Sequence, residues 1–228
     1  MKYDLNIPID RKNTGSYKWD RNLQYFGKED VIPLWTADMD FPCAEPIVLA
    51  LTERVTHPIY GYTVRNDSAL DAFLTWMRKR HHYTPDKSWV TFAPPGIIYA
   101  IHQLIQILTD PGDEIILQSP NYGPLFDLVT GSERKLLLNP MRLTDQGYTV
   151  DLKHFESLAR RGAKALILSN PNNPTGHVYT KEELLQLCAI CKDYGLWIIS
   201  DEIYADFASG DHPFTPVTSL SPEFNTFT

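Results

Sequence analysis

The stretch that most restricts the fold runs from Ala165 to Phe207, where two apolar runs flank a turn and a capped helix. Ala165–Ser169 is short and apolar enough to be a buried strand. Asn170-Pro171-Asn172-Asn173-Pro174-Thr175-Gly176 follows, and its two prolines and glycine stop helix and sheet alike. Thr180 reads as an N-cap, with Glu183 three residues on completing a capping box. The helix carries Leu184, Leu185 and Leu187, closes near Gly195, and delivers a second buried strand, Leu196–Ser200. Strand, helix and strand in that order imply a parallel sheet with helical cover.

Polar side chains gather just past the two strands, where open α/β sheets place their chemistry. Asn173 follows the first strand; Asp201, Glu202 and Tyr204 follow the second. An acid directly after Trp197-Ile198-Ile199-Ser200 is largely desolvated, so it is either neutral or faces a cation. A protonated pyridine nitrogen is such a cation, and keeping it protonated makes the ring an electron sink. Asn173 and Tyr204 suit hydrogen bonds to a phenolate oxygen on that ring. Each residue alone also has a structural reading: Asn173 shapes a turn, Asp201 caps a helix and Tyr204 packs.

Together, S-N-P-x-N-P-T-G and the strand ending in D-E-x-Y resemble the pyridoxal-phosphate enzymes of fold type I, the aspartate aminotransferase superfamily. The resemblance implies an α/β fold, a predominantly parallel sheet with helices on both faces. It implies that Asn173 and Tyr204 contact the 3′-oxygen of pyridoxal 5′-phosphate and that Asp201 contacts its ring nitrogen.

Composition agrees with a globular, ordered chain. Of the 228 residues 43% are hydrophobic and 12% aromatic, enough to bury a sizeable core. The net charge of −7 and the lack of a basic run longer than Arg78-Lys79-Arg80 argue against nucleic acid as the main partner. No apolar run approaches the ~20 residues that span a bilayer, and the opening residues show no signal-peptide core. Three cysteines make no disulfide framework, so the expected setting is the cytoplasm. Cys188 and Cys191 form C-x-x-C inside a predicted helix, away from the helix N-terminus that would activate a thiol, and read as buried packing residues. No histidine pattern marks a metal site, and none is assigned.

The first forty residues are polar, aromatic and irregular, and read as an arm over residues 1–45 that precedes a domain over 46–228. Asp10-Arg11, Thr14, Ser16 and Lys18-Trp19-Asp20, followed by Ala37-Asp38-Met39-Asp40-Phe41, are similar to one branch of the superfamily, the cystathionine β-lyase-like C–S lyases of the MalY/PatB group. That resemblance implies that the backbone near Ala37 faces the carboxylate of an amino-acid substrate. It implies that Tyr62 reaches the cofactor phosphate of a partner subunit, hence a homodimer. Pro46–Arg54 and Asp67–His82 read as helices, the latter amphipathic, and Trp89–Phe92 as a strand. A helix from about Ile97 to Leu108 points its free N–H groups at whatever lies above the sheet. The superfamily's phosphate-binding turn matches Gly96, Ile97 and Ile98. Asp113–Gln118 reads as a strand leading to Tyr122, whose ring suits stacking on the cofactor. Lys135–Leu138 reads as a strand and Asp151–Arg160 as a capped helix.

The superfamily's lysine, which anchors the cofactor covalently, follows D-E-x-Y within S-x-x-K. No residue after Lys192 is Lys or Arg. The resemblance therefore places no catalytic residue in this chain and expects that lysine beyond Thr228, on a continuation or on a second polypeptide. The chain then corresponds to the front part of a C–S lyase, inactive alone and with a sheet edge uncovered. An aminotransferase, which shares all these cofactor contacts, and a non-catalytic cofactor-binding or dimerising fragment are the alternative readings.

Overall fold

Residues 4–64, 67–208, 210 and 212–228 are described by the structure, a computed structural model in which the chain divides into two units, Met1–Arg65 and Asn66–Thr228. Residues 1–3 of the expected arm lie outside the described ones. The 45/46 boundary suggested by the sequence falls at the first turn of a helix of the first unit.

The first unit holds α1 (Tyr17–Asp20), α2 (Asn22–Phe26) and α3 (Glu45–Thr56). Ser16 caps α1 by accepting from Trp19 N–H, and Gly27, in the left-handed region, ends α2. In place of a periodic apolar core, Tyr17, Tyr25 and Phe26 surround Trp35, with ring centroids 5.0, 4.8 and 6.0 Å from it.

The second unit begins with α4 (Ser68–His81) and α5 (Ile97–Leu108), then β1 (Glu114–Ser119), α6 (Gly123–Gly131) and β2 (Lys135–Pro140). A small antiparallel hairpin, β3 (Arg142–Thr144) and β4 (Gly147–Thr149), precedes α7 (Leu152–Arg160). The chain then runs through β5 (Ala165–Ser169), α8 (Lys181–Tyr194), β6 (Trp197–Asp201) and β7 (Thr226–Phe227). Five strands form one parallel sheet in the order β2-β1-β5-β6-β7.

Alternation along the strands builds two cores. Ile115, Leu117, Ala165, Ile167 and Ile199 pack with Ile101 and Ile105 of α5 and Leu125 and Val129 of α6. Their neighbours Ile116, Leu166, Leu168 and Ile198 pack on the other face, with Phe155 and Leu158 of α7 and Leu184 and Leu187 of α8. A strand covered on both faces must be apolar at successive positions, which is why these strands read as continuous runs.

The capping box at Thr180 and Glu183 is present, and Gly195 ends α8 with a φ of 71°. One expected element differs. Trp89–Phe92 forms no strand; Lys87–Trp89 is a short 3-10 turn capped by Asp86, and no ladder forms over 90–93 among the described residues. A strand exists only where a neighbour completes its hydrogen bonds.

Candidate active site

Parallel pairing sets the tips of the strands side by side. Ser169 lies opposite Asp201, and Asn170 N–H donates to Asp201 O at 2.9 Å. The loops beyond these tips bring Asn173 and Tyr204 together in a cleft of about 300 Å³, walled by Pro171, Pro174, Val178 and Phe207. Among the described residues neither the Asn173 amide nor the Tyr204 hydroxyl has a protein hydrogen-bond partner, so both are available to a ligand. Tyr204 is held edge-on by Phe207, with centroids 5.9 Å apart.

Asp201 does not line that cleft; it ends β6 three residues before Tyr204 and is buried. Its carboxylate accepts from Ile203 N–H at 3.1 Å, and among the described residues no basic side chain pairs with it. Burial pushes its pKa up, and the Ile203 N–H offsets this in part. Such a carboxyl gains from a cation placed beside it. Glu202, its neighbour, is pushed up to about 8 by burial, even though Val217 N–H (2.9 Å) and the Ser200 hydroxyl (3.0 Å) both donate to it. It ties β6 to the 216–217 segment and does not line the cleft.

Gly96, Ile97, Ile98 and Tyr122 belong to the same edge of the sheet but not to that cleft. A five-residue connection returns the chain from α5 into β1, so α5 runs antiparallel to the strands and its N-terminus lies toward their carboxyl ends. Gly96 is extended, Ile97 and Ile98 are partly exposed, and a Cβ added at Gly96 would meet only open space. That leaves the first-turn amides accessible to an anion. Tyr122 stands three residues after β1, 41% exposed, its N–H bound to the Asn121 side chain at 2.8 Å.

The sequence singled out too few polar groups here. Gln118 and Asn121 near the tip of β1, and Asn170 and Asn172 beyond β5, are buried with amide atoms that find no partner among the described residues. Unpaired buried amides are costly and cluster where a ligand or water completes them. A polar Gln118 at the end of an otherwise apolar strand is the signal that marks this edge in the sequence.

In the first unit, Ala37 lies within a segment fixed by charge. Arg11 bonds Asp38 and Asp40 at 2.6 Å each and Met39 O at 3.2 Å. Lys18, buried, bonds Asp38 O at 2.9 Å and Asp40 at 2.7 Å, and Trp19 Nε1 donates to Asp40 at 2.8 Å. Hydrogen bonds from Lys18, Trp19 and Arg11 hold the Asp40 pKa far below the usual carboxylate range. Tyr62 is fully exposed, whereas Tyr60 bonds Val55 O at 2.8 Å under Arg54. Cys188 and Cys191 are buried in α8; burial pushes Cys188 up to about 12 and raises Cys191 as well, the opposite of an activated pair.

A parallel α/β sheet with a helix N-terminus, a buried acid and two unpartnered polar groups at its carboxyl edge is the architecture of a pyridoxal-phosphate transferase of fold type I. The chain belongs to the class I and II aminotransferase family, which it matches over residues 29–228. It is 38% identical to the cystathionine beta-lyase PatB of Bacillus subtilis over 94% of its own length and 56% of the relative's. It superposes on cystalysin from Treponema denticola, whose structure contains pyridoxal 5′-phosphate, with a TM-score of 0.92 at 30% identity, covering 99% of this chain and 58% of that one. The PLP-bound C–S lyase from Staphylococcus hominis gives a TM-score of 0.91 at 29% identity, over 98% and 57%. The chain therefore spans little more than half the length of the relatives it matches.

Proposed function

We propose that this chain supplies the cofactor-binding half of a pyridoxal-phosphate-dependent C–S lyase that eliminates a thiol from a sulfur amino acid such as cystathionine or cysteine. The observation that supports the reading is the pair of unpartnered side chains, Asn173 and Tyr204, in one cleft beside the buried, cation-free Asp201.

The residues present fit the cofactor. Asp201 would hold a proton on the pyridine nitrogen, and that pairing would let its carboxyl ionise. Asn173 and Tyr204 would hydrogen-bond the 3′-oxygen, Tyr122 would stack on the ring, and the amides of Gly96, Ile97 and Ile98 would bind the phosphate. Tyr62 would reach the phosphate of a partner subunit in a homodimer, and the backbone at Ala37 would receive the substrate carboxylate. Bound there, pyridoxal phosphate supplies an electron sink that lets an amino acid lose its Cα proton and then a thiolate from Cβ. Among the described residues no lysine lines the Asn173–Tyr204 cleft, and none of residues 1–228 is assigned the proton transfer at Cα. The setting we propose is cytoplasmic; among the described residues no helix is long and apolar enough to cross a membrane.

The arm motif and the C–S lyase relatives favour a lyase over an aminotransferase. A chimera in which this chain replaces the matched part of the B. subtilis PatB lyase decides between them. Pyruvate release from cystathionine without added keto acid is the expected result. Strict dependence on a keto acid overturns the lyase reading.

A further inference from the structure

Helix α4 ends beside the loop that carries Tyr204, and three of its side chains converge there on Asp206. Trp76 Nε1 donates to both carboxylate oxygens of Asp206 at 3.1 Å. His81, the last residue of the helix, brings Nε2 to 3.0 Å from Oδ1 of the same carboxylate. Arg80 Nη2 donates to the Asp206 backbone carbonyl at 3.1 Å, and its Nε lies 3.6 Å from Oδ1. Such contacts contribute little where water competes for both partners. Here the His81 side chain is only 5% exposed and packs edge-on against Phe214, with centroids 5.2 Å apart. Trp76 and His81 stand 130 and 125 residues before Asp206, so these bonds join separate elements and do not merely close a local turn.

Tyr204 lies midway between two anchors. Two residues before it, Glu202 accepts from the Ser200 hydroxyl at 3.0 Å and from Val217 N–H at 2.9 Å. Two residues after it, Asp206 is held by α4. Between them Ala205 N–H donates to Glu202 O and Phe207 N–H to Tyr204 O, both at 2.9 Å, closing a 3-10 turn over Ala205–Phe207. Of the polar side chains in 202–206, the Tyr204 hydroxyl alone is uncommitted among the described residues, and Tyr204 lines the cleft with Asn173. We propose that Asp206 is a positioning residue: bonded to Trp76, Arg80 and His81, it fixes the turn that presents the Tyr204 hydroxyl to the ligand. The proposal rests on the reading of that cleft as the site of the pyridoxal phosphate 3′-oxygen. A tyrosine on a loose turn loses backbone and rotamer freedom when it takes up a ligand, whereas one anchored on both sides has lost it already on folding.

The test uses the whole 228-residue chain and pyridoxine 5′-phosphate, which keeps the ring, the phosphate and the 3′-oxygen but has no aldehyde to form imines with lysines. Equilibrium dialysis compares the unaltered chain with Tyr204→Phe, Asp206→Ala and the double variant. Each single change is expected to weaken binding about three- to tenfold, the effect of about one hydrogen bond. Asp206→Ala added to Tyr204→Phe is expected to weaken it by less than about twofold more, because a positioning residue has nothing left to position. Trp76→Phe keeps an aromatic ring, removes one donor to Asp206, and is expected to show the same dependence on Tyr204 with a smaller loss. Without ligand, Asp206→Ala is expected to speed amide exchange at Ala205 and Phe207 about tenfold or more. An equal loss of affinity with and without the Tyr204 hydroxyl overturns the proposal, since Asp206 then supports the cleft as a whole. Unmoved exchange at Ala205 and Phe207 overturns the anchoring itself, whatever binds. An unaltered chain that binds no pyridoxine 5′-phosphate overturns the cofactor reading and the positioning role with it, and the exchange result tells that failure from a failure of the anchor.

Discussion

Two neighbouring acids, Asp201 and Glu202, leave β6 in different directions, and the difference is a matter of partners. Glu202 is committed to Ser200 and Val217, and burial raises its pKa from 4.5 to about 8. A carboxyl that keeps its proton longer when folded makes the native state bind more protons than the unfolded chain between those values. Stability from this group is therefore full below about pH 4.5 and declines as pH rises toward 8. Glu202→Gln keeps an oxygen acceptor and removes the titration. It is expected to flatten that decline without abolishing it, because Asp201 is shifted in the same direction; urea midpoints measured from pH 5 to 8 check this. The three thiols make a second contrast. Cys43 is exposed, whereas Cys188 and Cys191 are buried. One thiol is expected to react with a disulfide reagent in the native chain at pH 8, and all three after unfolding.

Among the elements, α8 shows what a local signal is worth. Thr180 accepts from Glu183 N–H at 3.1 Å, and Glu183 accepts from Thr180 N–H at 2.9 Å. Thr180→Ala is expected to lower stability by about 1 kcal/mol, read from denaturant unfolding. This cap was legible because both partners lie within four residues of each other. Its helix end at Gly195 was legible for the same reason, since a left-handed position favours glycine. The strand at Trp89–Phe92 was over-read, because a strand is settled by its neighbour and not by its own composition. The β3–β4 hairpin is not legible in the sequence: Asp145-Gln146 is a two-residue polar turn between runs of only three residues. Among the candidate site residues, Asn173, Asp201 and Tyr204 stand out in the sequence by following strands. The commitment of Glu202 to Val217 depends on a loop fifteen residues on, beyond the reach of local pattern.

At the scale of the whole chain, the second unit is three layers, with a sheet between two helical cores. Phe155 of α7 and Ile105 of α5 are both fully buried, on opposite faces. Phe155→Ala is expected to cost about 3–5 kcal/mol and Ile105→Ala about 2–5 kcal/mol. Because the sheet separates them, the double variant is expected to lose the sum to within about 0.5 kcal/mol; equilibrium unfolding of the four chains measures it. A clear departure from the sum would mean that the layers share strain through the strands.

The strand order has a consequence for how such a chain is made. β2 settles beside β1, β5 takes the other flank of β1, and then β6 and β7 are each laid against the strand that came just before. Growth thus proceeds outward in the direction of synthesis, and no late strand has to wedge into a finished pair. A ribosome releasing this polypeptide can let each crossover dock as it emerges, so that one margin of the sheet, at β2, stays fixed while only the other moves outward.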